Sequence, residues 1–359
     1  MSTTVPPSGR SPRVTALAGG VGAARMLAGL AAVAGQEAIT AVVNTGDDTV
    51  LHGLYVSPDI DTITYTLAGV ANSATGWGLA GETWAAMEAL RAFEDVSPAG
   101  LTWFSLGDRD LATHLFRTGR LAAGATLSEV TAEIARRFGL RCHLLPMTDH
   151  RVETRVAVEL GAGDRNFGGL SGLPARPIGP PAGGASHAPV EIGFQEYFVG
   201  LHHSVAVRNV RFAGAESAVP APGVLGAIEE ADMVVICPSN PIVSIGPVMA
   251  VPGIAEAVAR RRASTVAVSP IIAGKALKGP ADRMLAELGH EPSSVGVAKL
   301  WAPWCATLVV DEADAGAAGE IEALGVRCVV TPSVMSGPAQ AARLARAVVG
   351  AGTGGPRGR

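Results

Sequence analysis

Four carboxylates fall within fifteen residues: Asp47 and Asp48 close the run Asn44-Thr45-Gly46-Asp47-Asp48, and Asp59 and Asp61 stand in Ser57-Pro58-Asp59-Ile60-Asp61. Mg²⁺ bound with a phosphorylated substrate takes one or two carboxylates and completes its shell with phosphate oxygens and water. The segment is therefore a candidate metal and phosphate site. A second reading stands beside it, in which Ser57 caps a helix with Pro58 at its first position and acids in its first turn. Asp59 and Asp61 then point to different faces, and at most one is a ligand. The position of the first run at the end of a β-rich stretch favours the metal reading.

The loop 19–25, GGVGAAR, also follows a β-rich run and opens a helical pattern. Gly20 and Gly22 let backbone N–H groups approach a phosphate, and a helix N-terminus adds partial positive charge. The loop lacks the Gly-Lys-Ser/Thr ending of a P-loop and the third glycine of the dinucleotide fingerprint, so a tight turn without a ligand competes with the cradle. Arg109, between Asp108 and Asp110, suits bidentate phosphate binding or a structural ion pair. Ser239, Asn240, Ser244 and Gly246 offer uncharged donors for a base or sugar. Lys275 is either a second phosphate cation or a solvated loop residue. The eight histidines form no HExxH and no Ser–His–Asp order, and His202-His203 falls in a β-rich stretch.

Short β-rich runs that end in Gly, Ser, Asn or Asp clusters and lead into helical patterns recur along the chain. They are Val14–Ala18, Ile39–Val43, 101–106, 233–237 and Thr265–Val268. After the third, Asp110 is placed to cap a helix over 111–117. Runs that are apolar on both faces and alternate with helices imply a parallel sheet covered on both sides. All the clusters then point to one rim, where open α/β sheets bind ligands. The expected fold is α/β: a Rossmann-like, doubly wound, mostly parallel sheet formed by 11–75 and 190–348. A smaller, mostly helical subdomain is inserted at 76–150, with helices over 77–93 and 126–138. Residues 161–189 are crowded with Gly and Pro and read as an insertion loop peripheral to catalysis, and 1–10 and 350–359 as disordered ends.

With 48% hydrophobic and 17% charged residues, the 359-residue chain can build a sizeable core. A net charge of −4 with no long basic run argues against a nucleic-acid partner. No apolar stretch has the roughly 20 residues needed to span a bilayer. Cys142, Cys237, Cys305 and Cys328 show neither CxxC spacing nor a nearby His at ligand spacing, which describes a reduced, cytoplasmic protein.

Taken together the motifs resemble a known family. VNTGDD, SPDIDTITYTLAG, GWGLAGETW, LGDRDLATH, LPMTD, FQEYFV, PSNPIVSIGPVMAVPGI and VSPIIAGKALKGPA occur in the order seen in the 2-phospholactate transferases, a family that includes actinobacterial phosphoenolpyruvyl transferases. The likeness runs from about 14 to 311. It implies transfer of a phospho-acid from a guanosine diphospho donor to the ribityl hydroxyl of the deazaflavin Fo, with release of GMP, in coenzyme F-420 biosynthesis. It also implies Mg²⁺, a Rossmann-like core and a homodimer.

Matched onto this chain, the resemblance puts the metal and reacting phosphates near Asp48, Asp59 and Asp61. It gives Gly20, Gly22, Asn44, Ser239, Asn240 and Lys275 to substrate binding, and sets Arg109 and Trp77 beside the deazaflavin or the transferred group. Alcohol attack on a diphosphate needs positioning and charge neutralisation more than covalent catalysis. Asp61 is the expected orienting carboxylate, with Asp48 beside it. The rivals are a Rossmann dehydrogenase, against which the incomplete glycine pattern counts, and a related non-enzymatic regulator that binds nucleotide sugars. The identity of the acid on the donor is not readable from sequence.

Overall fold

The computed structural model of the chain describes residues 11–94, 96, 102–159, 176–177 and 189–353. In chain order its strands are β1 (Val14–Ala18), β2 (Ile39–Val43), β3 (Thr49–Leu51), β4 (Leu54–Val56), β5 (His143–Pro146), β6 (Glu153–Val158), β7 (Arg176–Pro177) and β8 (Val190–Gly193). They continue with β9 (Val207–Ala213), β10 (Met233–Ile236), β11 (Thr265–Val268), β12 (Ile271–Ile272), β13 (Lys275–Ala276), β14 (Thr307–Val310) and β15 (Arg327–Val330).

Seven of them form one sheet in the order β15-β14-β11-β10-β1-β2-β5, every pairing parallel. The chain builds outward from β1 through β2 to β5, then crosses to β10 and builds out the other way. The switch point therefore lies between β1 and β10, where ligands of such sheets bind beyond the carboxyl ends. Alternate residues of β1 serve opposite layers: Leu17 joins the core on one face, while Val14, Ala16 and Ala18 join the core on the other. Burial of both faces is why the strands read as continuous apolar runs. The helix α1 (Gly20–Ala34) leaves β1 and packs against the C-terminal helix Pro338–Thr353 so closely that a Cβ on Gly29 would lie 2.4 Å from the Ala341 carbonyl oxygen. This Rossmann-like sheet is the fold that the sequence pattern implies. The C-terminal helix continues to Thr353, beyond the point where the apolar pattern fades.

Several local expectations are corrected. Of the expected strand 101–106, the described residues 102–106 form none; the third strand on that side of the sheet is β5. The aromatics of 102–106 serve a local cluster instead: Trp103 and Phe104 stack edge to face at 5.6 Å and pack on Leu51, Val56, Met87 and Leu106. Because β5 belongs to the sheet, the inserted part closes before His143 rather than at 150. It contains α2 (Pro58–Leu67) at its base, then α3 (Ala85–Arg91), α4 (Asp108–Ala122) and α5 (Leu127–Arg137). The expected long helix over 77–93 is only its last part.

Gly107, not Asp110, stands at the N-cap of α4. Asp108 accepts from the amides of Ala85 and Ala86 and so holds the start of α3, while Glu82 accepts from the amides of Arg109 and Asp110. The stretch after 190 is not all parallel core either. Strands β7, β8, β6 and β9 form a separate antiparallel sheet. His202 and His203 sit in a turn with left-handed φ of 48° and 42°, outside any strand. The Gly- and Pro-rich loop falls outside the described residues except for β7, which pairs with β8. Residues 1–10 and 354–359 are outside them too. No single helix among the described residues is long and apolar enough to cross a membrane.

Candidate active site

At the switch point the ends of β1, β2 and β10 meet the start of α2. Asn44, Asp47, Asp48 and Asp59 are all buried there. Asn44 joins them: its Nδ2 donates to Asp59 Oδ2 at 2.9 Å and to Asp47 Oδ1 at 3.3 Å, while its Oδ1 accepts from Gly46 N–H at 2.8 Å. Asp59 also accepts from the Gly20 amide at 2.7 Å, and Asp47 from Gln195 Nε2 at 3.2 Å. Asp48 accepts from Ser57 Oγ at 2.9 Å through Oδ2, the Tyr55 hydroxyl lies beside the same carboxylate, and its buried Oδ1 has no partner at hydrogen-bond distance.

Burying three carboxylates together disfavours their charged forms. Burial pushes Asp48 up to about 7, opposed by the Arg117 charge and the Ser57 hydrogen bond. Burial raises Asp59 to about 6, opposed by Asn44 and Gly20. Asp47 is raised well above the carboxylate range by burial and then by the charges of Asp59 and Asp48. A divalent cation would remove this conflict. The donors are hard oxygens, one carboxylate oxygen is buried without a partner, and the hydroxyls of Thr45 and Thr154 are also buried without partners. Thr154 Oγ1 would stand only 2.7 Å from a Cβ on Gly46, so it faces the same turn. That set fits Mg²⁺.

Asp61 does not join the set. Both its oxygens accept from the buried guanidinium of Arg117, one of them at 3.0 Å. His114 stands 3.7 Å from Asp61 and 3.4 Å from Asp110, and Tyr65 donates to Asp110. The oxygens and nitrogens of Asp61, Asp110 and His114 lie within 4.8 Å of one another, yet the Arg117 charge already occupies that neighbourhood. The first turn of α2 thus carries Asp59 and Asp61 on different faces to different partners, as the helix reading of Ser57-Pro58 requires. Asp61, expected as ligand and orienting carboxylate, is engaged by Arg117 in this structure.

Other candidates are structurally engaged. The Gly20 amide, read as a phosphate donor, binds Asp59. Gly22 is required by packing, since a Cβ there would lie 2.2 Å from the Pro238 carbonyl oxygen. Ser239 Oγ donates to the Gly19 carbonyl at 2.8 Å, and Asn240 Oδ1 caps the next turn by accepting from Ile242 N–H at 2.9 Å. These residues do gather at the switch point, but as its scaffold. Gly19 shows the tightness: a Cβ would meet Asp59 Oδ2 at 2.7 Å and Ser244 Cβ at 2.9 Å.

The remaining candidates, Trp77, Arg109 and Lys275, are exposed. Trp77 is 48% exposed, in a loop whose Gly76 would touch Val21 of α1 at 3.0 Å if it bore a Cβ. Lys278 donates to the Thr75 carbonyl at 3.2 Å and so crosses from the β13 side to this loop. Arg109 donates to the Ala80 carbonyl at 2.6 Å and pairs with neither Asp beside it. Lys275 is 82% exposed, 3.8 Å from Asp282. A cavity beside the carboxylates is lined by Asp47, Asp48, Glu153, Thr154, Phe194 and Gln195 among others. Asp47 was one of the four clustered carboxylates read from sequence, whereas Gln195, carried by the FQEYFV motif, was not singled out. Arg117 gave no signal, since nothing in its helix marks which arginine turns inward.

Residues 14–322 match the family model described as 2-phospho-L-lactate transferase CofD. Among curated relatives, the chain is 44% identical over 339 residues to a phosphoenolpyruvate transferase of Streptomyces griseus, covering 93% of this chain and 96% of that one. It is 43% identical over 340 residues to the phosphoenolpyruvate transferase of Kitasatospora aureofaciens, with the same coverage of both. A solved member of the UPF0052 family from Bacillus halodurans superimposes with a TM-score of 0.57 at 16% identity, covering 95% of this chain and 100% of that one. That last likeness speaks to the fold alone.

Proposed function

Starting from the fact that the chain belongs to the 2-phospho-L-lactate transferase CofD family, we propose that it is a Mg²⁺-dependent phospho-acid transferase of coenzyme F-420 biosynthesis. The phospho-acid is carried on a guanosine diphospho donor, and the acceptor is the terminal ribityl hydroxyl of Fo. Phosphoenolpyruvate is the acid favoured, because it is named in relatives 43% and 44% identical to this chain. In the reaction the hydroxyl oxygen bonds to the phosphorus that bears the acid, the bond from that phosphorus to the bridging oxygen breaks, and GMP leaves.

The observation that carries this reading is Asp48 Oδ1, a buried carboxylate oxygen without a partner, beside Asp47 and Asp59 at the switch point. Asp47, Asp48 and Asp59 would hold the cation, which when bound neutralises charge on the diphosphate. Asn44 keeps the Asp47 and Asp59 carboxylates facing one another. We give Asp48 the further role of orienting the attacking hydroxyl through its free oxygen.

Purified protein incubated with Fo and guanylylated phosphoenolpyruvate should give one product whose mass is Fo plus the phosphoenolpyruvyl group, with equimolar GMP. EDTA should abolish it. Nucleotide binding without any Fo-dependent release of GMP would replace the transferase with a nucleotide-binding regulator.

A further inference from the structure

Arg117 lies on α4, inside the insertion, and is fully buried. Besides its ion pair with Asp61, Nη1 donates to the carbonyl of Tyr55 at 3.4 Å. The adjacent Thr118 accepts from the Tyr55 amide at 2.8 Å through Oγ1. Tyr55 is the middle residue of β4, so α4 holds both backbone polar groups of one hairpin residue.

That hairpin carries the site. Asp48 immediately precedes β3, Ser57 immediately follows β4 after one residue of pairing with Thr49↔Val56, and the Ser57–Asp48 hydrogen bond closes the open end. The Tyr55 side chain also neighbours Asp48. A buried guanidinium needs a counter-charge to be tolerated, and the carboxylate that meets it bidentately is Asp61.

We infer that Asp61 acts on the site at one remove: it anchors Arg117, and Arg117 clamps the β3–β4 hairpin so that Asp48 is held in place. Both are positioning residues, and Asp61 is not a metal ligand. The inserted subdomain thereby stiffens a metal site built on the parallel sheet. The inference rests on the assignment of Asp48 to the metal made above.

The test uses Mn²⁺ as the probe, with free Mn²⁺ read by electron paramagnetic resonance in the absence of substrates and folding followed by thermal melts. Absence of Mn²⁺ binding by the wild-type protein would count against the metal assignment itself, separately from the clamp. Asp61→Asn leaves a buried arginine unpaired and should raise the Mn²⁺ dissociation constant at least about tenfold. Arg117→Gln, which keeps Asp61 but loses the arm to Tyr55, should likewise weaken Mn²⁺ binding. If Asp61 were a ligand, Arg117→Gln would free it for the ion, and unchanged or tighter Mn²⁺ binding in that variant would overturn the inference. So would wild-type affinity in Asp61→Asn.

Should those variants fail to fold, Arg117→Lys decides the matter. It keeps the charge opposite Asp61 and loses the second arm to Tyr55, so Mn²⁺ binding should weaken by about threefold to tenfold, the value of one hydrogen bond. Unchanged Mn²⁺ affinity in a folded Arg117→Lys protein would remove the clamp.

Discussion

Ser57 Oγ donates to Asp48 Oδ2 at 2.9 Å, so the residue in the N-cap position of α2 serves a carboxylate nine positions earlier and leaves its own helix without a side-chain cap. An Ncap serine ordinarily accepts from the N–H of the second or third helical residue, whereas here its hydroxyl proton is directed to Asp48. Ser57→Ala should therefore act on the metal rather than on the helix. The Mg²⁺ concentration giving half-maximal rate should rise about tenfold, as for one lost hydrogen bond to a charged group. A Mg²⁺ titration of initial rates checks this; an unchanged midpoint with a lowered melting temperature would assign Ser57 to the helix instead.

Asp48→Asn and Asp59→Asn should each reduce turnover by at least about a hundredfold, the scale of one positioned acid–base or metal-holding group. At 48 an amide oxygen can still accept from Ser57, so Asp48→Asn should melt near wild type; at 59 an amide satisfies only one of the Gly20 and Asn44 donors, so Asp59→Asn should melt lower. Near-normal rates at saturating Mg²⁺ for both variants would remove the carboxylates from the mechanism.

Gly22→Val should destabilise the whole protein and weaken every ligand alike. A side chain at 22 collides with the Pro238 carbonyl oxygen, which belongs to the backbone and cannot rotate away. The collision pushes α1 from the end of β10 and disturbs the switch point itself. Separate calorimetric titrations with GDP and with Fo distinguish this from a phosphate cradle, which would lose GDP alone.

The buried carboxylates make the metal-free protein sensitive to alkali. In the fold Asp48 titrates near 7 and Asp59 near 6, against about 3.9 in an unfolded chain. The folded state therefore holds more protons than the unfolded state between about pH 4 and 7, and stability falls as pH rises through that window. Melts of EDTA-treated protein should show a lower transition at pH 8 than at pH 5.5 from this source. Added Mg²⁺ should raise the transition far more at pH 8, where the carboxylates are ionised, and little at pH 5.5. Equal stabilisation by Mg²⁺ at the two values would place the ion elsewhere.

Much of this protein was determined by the sequence itself. Met233–Ile236 is apolar at every position and Val14–Ala18 at all but Thr15, and only a sheet covered on both faces buries them so. A parallel sheet then sends every strand end to one rim, which is why the Gly19, Asn44 and Ser239 clusters could be brought together on paper. Period and composition are local properties, and they survive into the fold. The run 101–106 misled for the same reason: it is apolar, but its partners are the hairpin and α3 rather than neighbouring strands. Nothing local distinguishes those outcomes.

Side-chain pairing was decided only by the tertiary structure. Asp59 and Asp61 are two residues apart on one helix, and a helical step of roughly 100° per residue turns them to different neighbours. One meets Asn44 and Gly20, and the other meets Arg117, which is 56 residues further along the chain. Gly20 and Gly22 look equivalent in GGVGAAR, yet one donates its amide to Asp59 and the other gives way to Pro238. Which carboxylate faces a cation, and which faces a metal site, depends on what the insertion packs against the sheet. That is a long-range contact, and no spacing within the motif encodes it.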